Sequence, residues 1–349
     1  MIAKAEKITR KEAIELFNES SLLELGKLAN SVRNSFHPKK TVTFVIDRNV
    51  NYTNICVSGC SFCAFYRGKK DADAYILTKK EILDKTEELV SLGGTQLLMQ
   101  GGLNPDLKIE FFEELFREIK KSFPQIDIHS LSPAEIDCIA SASSLTIDET
   151  IERLQKSGLD SIPGGGAEIL VDDIRKKISP LKIGWERWSQ VMFKAAEAGM
   201  STTATMMFGA GESAEDIIEH LFRIRELQES GGSFRAFIPW TYQPGNTGLG
   251  GLTPGGVEYL RVLAISRIIL DNIPNIQGSW VTQGGKMAQI ALFFGANDLG
   301  GTMLEENVVA AAGCSFRMTP EEIISLIKNT GFTPLQRNTA YNILREFPA

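Results

Sequence analysis

The chain has 349 residues, 43% of them hydrophobic and 23% charged, an ordinary globular composition with ample apolar material for a large core. Its net charge of −6, spread over interspersed acidic and basic residues, offers no basic block for nucleic acid, and no apolar run approaches the roughly 20 residues that span a bilayer. The opening MIAKAEKITRKEAIELF is charged and amphipathic rather than a secretory signal, so a cytoplasmic protein with reduced cysteines is expected.

Two amphipathic helices are predicted first, one behind a capping box of Thr9 and Glu12, the other starting at Ser20 or Ser21. His37-Pro38 breaks that pattern. From there short β-branched runs alternate with amphipathic helical stretches. Residues 41–51 (TVTFVIDRNVN) read as a strand, with Asp47 and Arg48 as a possible buried pair, followed by a helix over 78–92 and a strand over 95–100. A helix over 108–122 precedes a strand over 126–131, and a helix over 147–157 precedes a short strand ending at 163–166. The second half continues with helices over 185–198, 214–229, 254–270 and 286–292, each ahead of one strand: 201–208, 233–239, 275–281 and 293–296. Such alternation indicates βαβ units and a parallel sheet. About eight units over ~260 residues match a (β/α)8 barrel of the TIM type. The expected organisation is an N-terminal helical segment over 1–40, the barrel over 41–302, and a C-terminal helical extension over 303–349. Glycines recur after strand upon strand, as in Gly101-Gly102, Gly164–Gly166 and Gly284-Gly285, where barrel loops bring backbone close to a ligand.

Three of the five cysteines fall within eight residues, in Cys56-Val-Ser-Gly-Cys60-Ser-Phe-Cys63 just after the first strand. Cys138 and Cys314 stand alone and read as inert small hydrophobes. The C-x-x-x-C-x-x-C spacing supplies three thiolates from one loop, enough for three corners of a cubane with its fourth iron open. Zinc in a closed site would want a fourth Cys or His nearby, and none is close in sequence.

This loop resembles the radical S-adenosylmethionine (SAM) superfamily. The resemblance implies a 4Fe–4S cluster on Cys56, Cys60 and Cys63, with SAM on the open iron, cleaved reductively to a 5′-deoxyadenosyl radical. It also places Phe62 near the adenine and Gly101-Gly102 at the methionine amino group, where Leu103 stands in place of the acidic residue usual there. Glu168 and Arg175, in GGGAEILVDDIR, match a carboxylate and an arginine that bind SAM in full-barrel members. An Arg–carboxylate fork suits that role, although Glu168 could equally start a helix.

CSFCAFYR, MQGGLNP, HSLSPAEI and PGGGAEIL further resemble the group holding the menaquinone-pathway futalosine enzymes and the deazaflavin-precursor synthases. Within it, VIDRNVNYTN, SWVTQGG and GANDLGGTMLEENVVAAAG look most like the futalosine cyclase branch. That likeness implies a small-molecule substrate, dehypoxanthinyl futalosine, whose ribose radical closes onto its benzoate ring. It also implies a low-potential electron donor such as ferredoxin or flavodoxin. Aminofutalosine synthase, a deazaflavin-precursor synthase subunit and a non-enzymatic iron–sulfur carrier are the alternatives.

Strand ends carry chemistry in such barrels, which nominates Arg235, Phe237, Trp240, Tyr242 and Gln243, then Trp280, Thr282, Gln283, Asn297 and Asp298 as pocket residues. Of these, Arg235, Trp240, Tyr242, Trp280, Gln283 and Asn297 are the expected substrate contacts. His129, ending the third strand beside Ser130, is the expected base for the final deprotonation, because imidazole titrates near neutral pH. His37 and His220 receive no functional part, the latter lying on an acidic helical face.

Overall fold

The computed structural model describes residues 7–348, so part of the charged opening segment lies outside the described residues. Helices Arg10–Glu19 and Leu22–Phe36 start at the capping boxes of Thr9 with Glu12 and Ser21 with Glu24. The second packs Leu25, Ala29 and Arg33 inward, against helix Gly256–Ile269. None of the described helices is long and apolar enough to cross a membrane.

The predicted first strand is a single course with a break at Ile46, giving β1 (Thr41–Val45) and β2 (Asp47–Val50). Next come β3 (Gln96–Met99), β4 (Asp127–Ser130), β5 (Ser161–Ile162), β6 (Ser201–Phe208), β7 (Phe234–Thr241) and β8 (Asn275–Ile276). β2 through β8 pair in sequence order, all parallel. A second sheet runs β11–β10–β1–β9, with β9 at Asp298–Gly301, β10 at Thr333–Arg337 and β11 at Ile343–Glu346. Because β1 continues into β2, and a bridge from Gln277 to Asp298 ties the end of β8 to β9, the eight courses close into a (β/α)8 barrel.

Both faces of these strands are covered, as parallel sheets require. In helix Ile109–Ser122 the residues Phe112, Leu115, Phe116 and Ile119 recur at one helical face and are all buried. Burying each such side chain contributes roughly 1.5–3 kcal/mol, which is why the apolar period predicts helix position well.

The structure departs from expectation around the eighth unit. Residues 293–296 form the turn after a helix, and the strand is Asp298–Gly301, whose two glycines disguise it. The expected strand over 275–281 stops at Ile276, and Trp280–Ala291 is helical with a kink at Gly284, where φ is 76°. Helix Pro133–Ser143, opened by a capping box of Ser132 with Glu135, was not expected. The C-terminal extension is only partly helical. After helix Pro320–Lys328, β10 pairs in parallel with β1 and β11 folds back antiparallel on β10. The β10–β11 connection thereby brings Arg337 and Tyr341 to the barrel cavity.

Candidate active site

The cysteine loop leaves β2 and returns through residue pairs that fix its shape. Cys56 N–H donates to the Arg67 carbonyl (3.0 Å), and Arg67 N–H donates to the Asn54 carbonyl (2.7 Å). Arg67 also clasps Asp73 at 2.8 Å and donates to the carbonyls of Ala64 and Tyr66. Gly59, at φ 55°, makes the bend between the first two cysteines. Cys56, Cys60 and Cys63 are all free thiols. Burial raises Cys60 and Cys63 above the usual thiol range, and the nearby Lys182 ammonium opposes this at both. Among the described residues no three His, Cys, Asp or Glu side chains converge on one ion-sized point. A cubane needs no such convergence, because each thiolate binds a different iron. Three free thiols on one loop beside a buried cation fit a net-negative cluster.

Gly101 and Gly102 serve close packing. A Cβ at Gly102 would stand 2.2 Å from the Ile55 carbonyl oxygen and 2.9 Å from Cys56 Cβ, so any side chain here would push the cysteine loop away. The Gly101 N–H donates to buried Glu135 (2.8 Å) and the Gly102 N–H to the Thr53 carbonyl (3.0 Å). An ammonium group needs acceptors, so the carbonyls of this turn are its relevant groups. Glu135 also accepts from Tyr52 Oη (2.7 Å), and the sequence analysis did not single it out.

Glu168 lies in the loop after β5, ahead of helix Asp172–Ile178 rather than at its start. Its backbone is left-handed, at φ 42°, unusual for a non-glycine residue. The carboxylate is buried. Oε1 accepts from Lys182 Nζ (2.9 Å), while Oε2 has no hydrogen-bond partner. Lys182 Nζ also sits 5.4 Å from the centre of the Phe62 ring. Burial opposes its charge, but Cys60 and Glu168 outweigh that and hold its pKa above the usual lysine range. Sequence reasoning missed Lys182, because a lone lysine between two helices carries no local signature. Arg175 corrects the expectation placed on it. Its five N–H donors are spent on the carbonyls of Gly166, Ala167, Ile169 and Ile183. It clamps the loop that carries Glu168 and has no donor left for a ligand.

Below Glu168 a cavity of about 270 Å³ runs down the barrel, lined on its way by Gln100, Thr205, Trp240 and Trp280. Its lower part is formed by Asp47, His129, Arg235, Arg337 and Tyr341. Arg235 is the second residue of β7, so it lies at the strand's start and not at the end where the sequence placed it. Nη1 donates to Ser161 Oγ (2.6 Å) and the Ser201 carbonyl (2.7 Å), and Nη2 contacts His129 Nδ1 (3.2 Å). A guanidinium can only donate, so Nδ1 accepts and the histidine proton resides on Nε2. Burial, reinforced by Arg235 and Arg337, pushes His129 well below the usual histidine range. A neutral ring whose Nδ1 lone pair already accepts from Arg235 is a weak proton acceptor, which speaks against its expected part as base.

Other candidates separate cleanly. Trp240 and Trp280 line the cavity, Trp280 donating from Nε1 to the Gly301 carbonyl (3.1 Å). Gln283 donates to Thr241 Oγ1 (2.6 Å). Tyr242 is buried outside the cavity, its hydroxyl bonded to Thr247 and to the Gly250 carbonyl. Asn297 is likewise structural, accepting from Arg267 (2.9 Å) and donating to Asn275 (2.8 Å). The supposed Asp47–Arg48 pair does not form, because adjacent strand residues face opposite ways. Arg48 meets Glu88 and Glu305, whereas Asp47 accepts from Gln96 Nε2 (3.2 Å) and Met303 N–H (2.9 Å). Burial pushes Asp47 up to about 6, with the Met303 N–H opposing. His220 is fully buried and accepts from Leu170 N–H (3.0 Å), a scaffold for the Glu168 loop and not part of an exposed helical face.

Comparison with known proteins gives a consistent likeness. Residues 50–224 match the radical SAM superfamily and residues 231–349 match the CofH/MqnC C-terminal region. A Halalkalibacterium halodurans protein named cyclic dehypoxanthine futalosine synthase is 46% identical, over 98% of this chain and 93% of its own. A Streptomyces coelicolor protein of the same name is 46% identical over 97% and 86%. A Methanopyrus kandleri protein named 5-amino-6-(D-ribitylamino)uracil–L-tyrosine 4-hydroxyphenyl transferase is 40% identical over 88% and 85%. Among solved structures, methylornithine synthase superposes with a TM-score of 0.75 at 18% identity, covering 94% of both chains, which speaks for the fold alone.

Proposed function

This chain belongs to the radical SAM superfamily of enzymes, and on that premise we propose that it converts dehypoxanthinyl futalosine to cyclic dehypoxanthinyl futalosine in menaquinone biosynthesis. The observation that carries this reading is the end-to-end likeness to the proteins named for that synthase, which extends through the C-terminal segment that helps form the cavity. Its cofactors are a 4Fe–4S cluster and SAM. When bound, they would supply hydrogen-atom abstraction at the 4′ carbon of the substrate's ribose.

The remaining work falls to the chain. Cys56, Cys60 and Cys63 hold the cluster, and the Gly101-Gly102 carbonyls with Glu168, Lys182 and Phe62 hold SAM beside it. Trp240 and Trp280 wall the cavity against water, which would quench or divert a carbon radical. The ribose carbon adds to the benzoate ring, and the ring regains aromaticity by losing one proton and one electron, which the oxidised cluster would take back. Asp47 accepts that proton, being a buried carboxylate in the cavity with its pKa pushed up to about 6. Above about pH 6 it is a carboxylate that can accept; below, it is already protonated. Turnover is therefore expected to fall as pH drops through about 6, and Asp47→Asn to remove that limb while lowering the rate roughly 10²- to 10⁴-fold. An unchanged acidic limb in the variant assigns the proton to another group.

The reading is tested with anaerobically reconstituted protein, SAM and a low-potential donor such as a ferredoxin or flavodoxin. Dehypoxanthinyl futalosine should give the cyclic product with one 5′-deoxyadenosine formed for each. Substrate deuterated at the 4′ carbon should pass its label to the deoxyadenosine without washing out, since that C–H bond does not exchange. Coupling of L-tyrosine to 5-amino-6-(D-ribitylamino)uracil instead would move the chain to the deazaflavin-precursor reaction.

A further inference from the structure

Resting on the proposed reading of the substrate, we propose that Arg235, backed by His129, is the receptor for the substrate's aryl carboxylate at the floor of the barrel cavity. Arg235 lines that cavity, and among the described residues no carboxylate lies within salt-bridge distance of it. Its partners Ser161 and Ser201 are neutral, and so is His129. A buried cation without a counter-ion is costly, because desolvation is not offset by attraction. The other cation of the floor is already satisfied: Arg337 makes two contacts with Asp298, at 2.6 and 3.0 Å, and stacks 3.8 Å from the Tyr341 ring centre. Asp47, the remaining carboxylate of the floor, is held by Gln96 and the Met303 N–H, so Arg235 is the floor cation left without a paired carboxylate.

The donors suit a planar carboxylate. The Arg235 Nε–H and one Nη2–H carry no hydrogen bond among the described residues, and the Arg235 contact leaves the His129 proton on Nε2. The serine oxygens hold the guanidinium in place before any ligand arrives, so little ordering is lost on binding. Position adds direction. Arg235 lies at the start of β7, whereas Cys56 and Glu168 lie in loops that follow strands β2 and β5. A ligand anchored by its carboxylate at the floor directs the rest of the molecule toward the cluster end. For the proposed substrate this sets the benzoate ring low, near Asp47, and the ribose high.

The test uses reconstituted holoenzyme with SAM and no reductant, titrated with two pairs of probes. One pair is benzoate and benzamide, followed by ligand-observed NMR; the other is dehypoxanthinyl futalosine and its carboxamide, followed by calorimetry. Wild-type protein should bind each carboxylate at least tenfold tighter than its amide. Arg235→Gln should lose that preference and Arg235→Lys should keep part of it, both with unchanged SAM affinity. A preference that survives in Arg235→Gln, or none in the wild type, overturns the assignment. Should Arg235→Gln not fold, Arg235→Lys decides: a preference as large as wild type overturns it, because lysine lacks the fork. Preference for benzoate with no binding of either futalosine compound keeps the receptor and removes the proposed function instead.

Discussion

Replacing any one of Cys56, Cys60 or Cys63 by alanine is expected to abolish turnover and most of the iron bound after reconstitution. The three thiols come from one eight-residue loop, whereas the other two free cysteines lie on other elements, so each of the three is expected to be needed. Cys138→Ala and Cys314→Ala are the controls and should keep both iron and activity. Cys314 donates to the Val281 carbonyl at 3.2 Å, and Cys138 sits in helix Pro133–Ser143, so both belong to other elements than the cysteine loop. The measurements are iron per chain and the visible absorbance of the anaerobic protein. Full iron content in Cys60→Ala would sink the proposed ligand set, and with it the site's whole arrangement.

The second large effect concerns SAM. Glu168→Gln is expected to weaken SAM binding about ten- to a hundredfold, the loss of a charge-assisted hydrogen bond worth ~1.5–3 kcal/mol, with iron content near wild type. Oε2 is buried and has no hydrogen-bond partner, Arg175 Nη1 standing off at 3.6 Å, a costly arrangement unless a ligand donates to it. The left-handed backbone at Glu168 points the same way, since strain of that kind persists where surroundings over-determine it. Here those surroundings are Arg175, which takes the carbonyls of Ala167 and Ile169 on either side, and Lys182, which takes the other carboxylate oxygen. Equilibrium binding of SAM to the reconstituted protein reads the effect. An unchanged dissociation constant would leave Glu168 as the counter-ion of Lys182 and Arg175 and nothing more.

What the sequence by itself determined is what neighbouring residues decide. The capping boxes at Thr9, Ser21 and Thr78 are each satisfied within four residues, so their helices begin where the pattern says. The apolar period of Ile109–Ser122 marks its buried face, and the cysteine spacing puts three thiols on one loop, because all three come from one short stretch of chain. The barrel followed from the alternation of such units.

Only the tertiary structure decided the floor and the partners of Glu168. Asp47, His129, Arg235 and Arg337 come from four different strands, and nothing local says that they meet. Whether a strand residue lies inside or outside, high or low, depends on register, where a shift of one position turns every side chain to the other face. Strand alternation alone separates Asp47 from Arg48, but that Asp47 is the one facing the cavity is fixed only by register. Asp298–Gly301 went unseen as a strand because its glycines carry no β preference; pairing with Thr43 and Val45 of β1 holds it there. Charge shows the same limit. His129 reads as a base from its ordinary pKa, and only its neighbours, a serine and two arginines brought together by β4, β5, β7 and β10, make it a neutral donor. Long-range packing sets the solvation and the field at each group, and those two quantities are not written in any short stretch of chain.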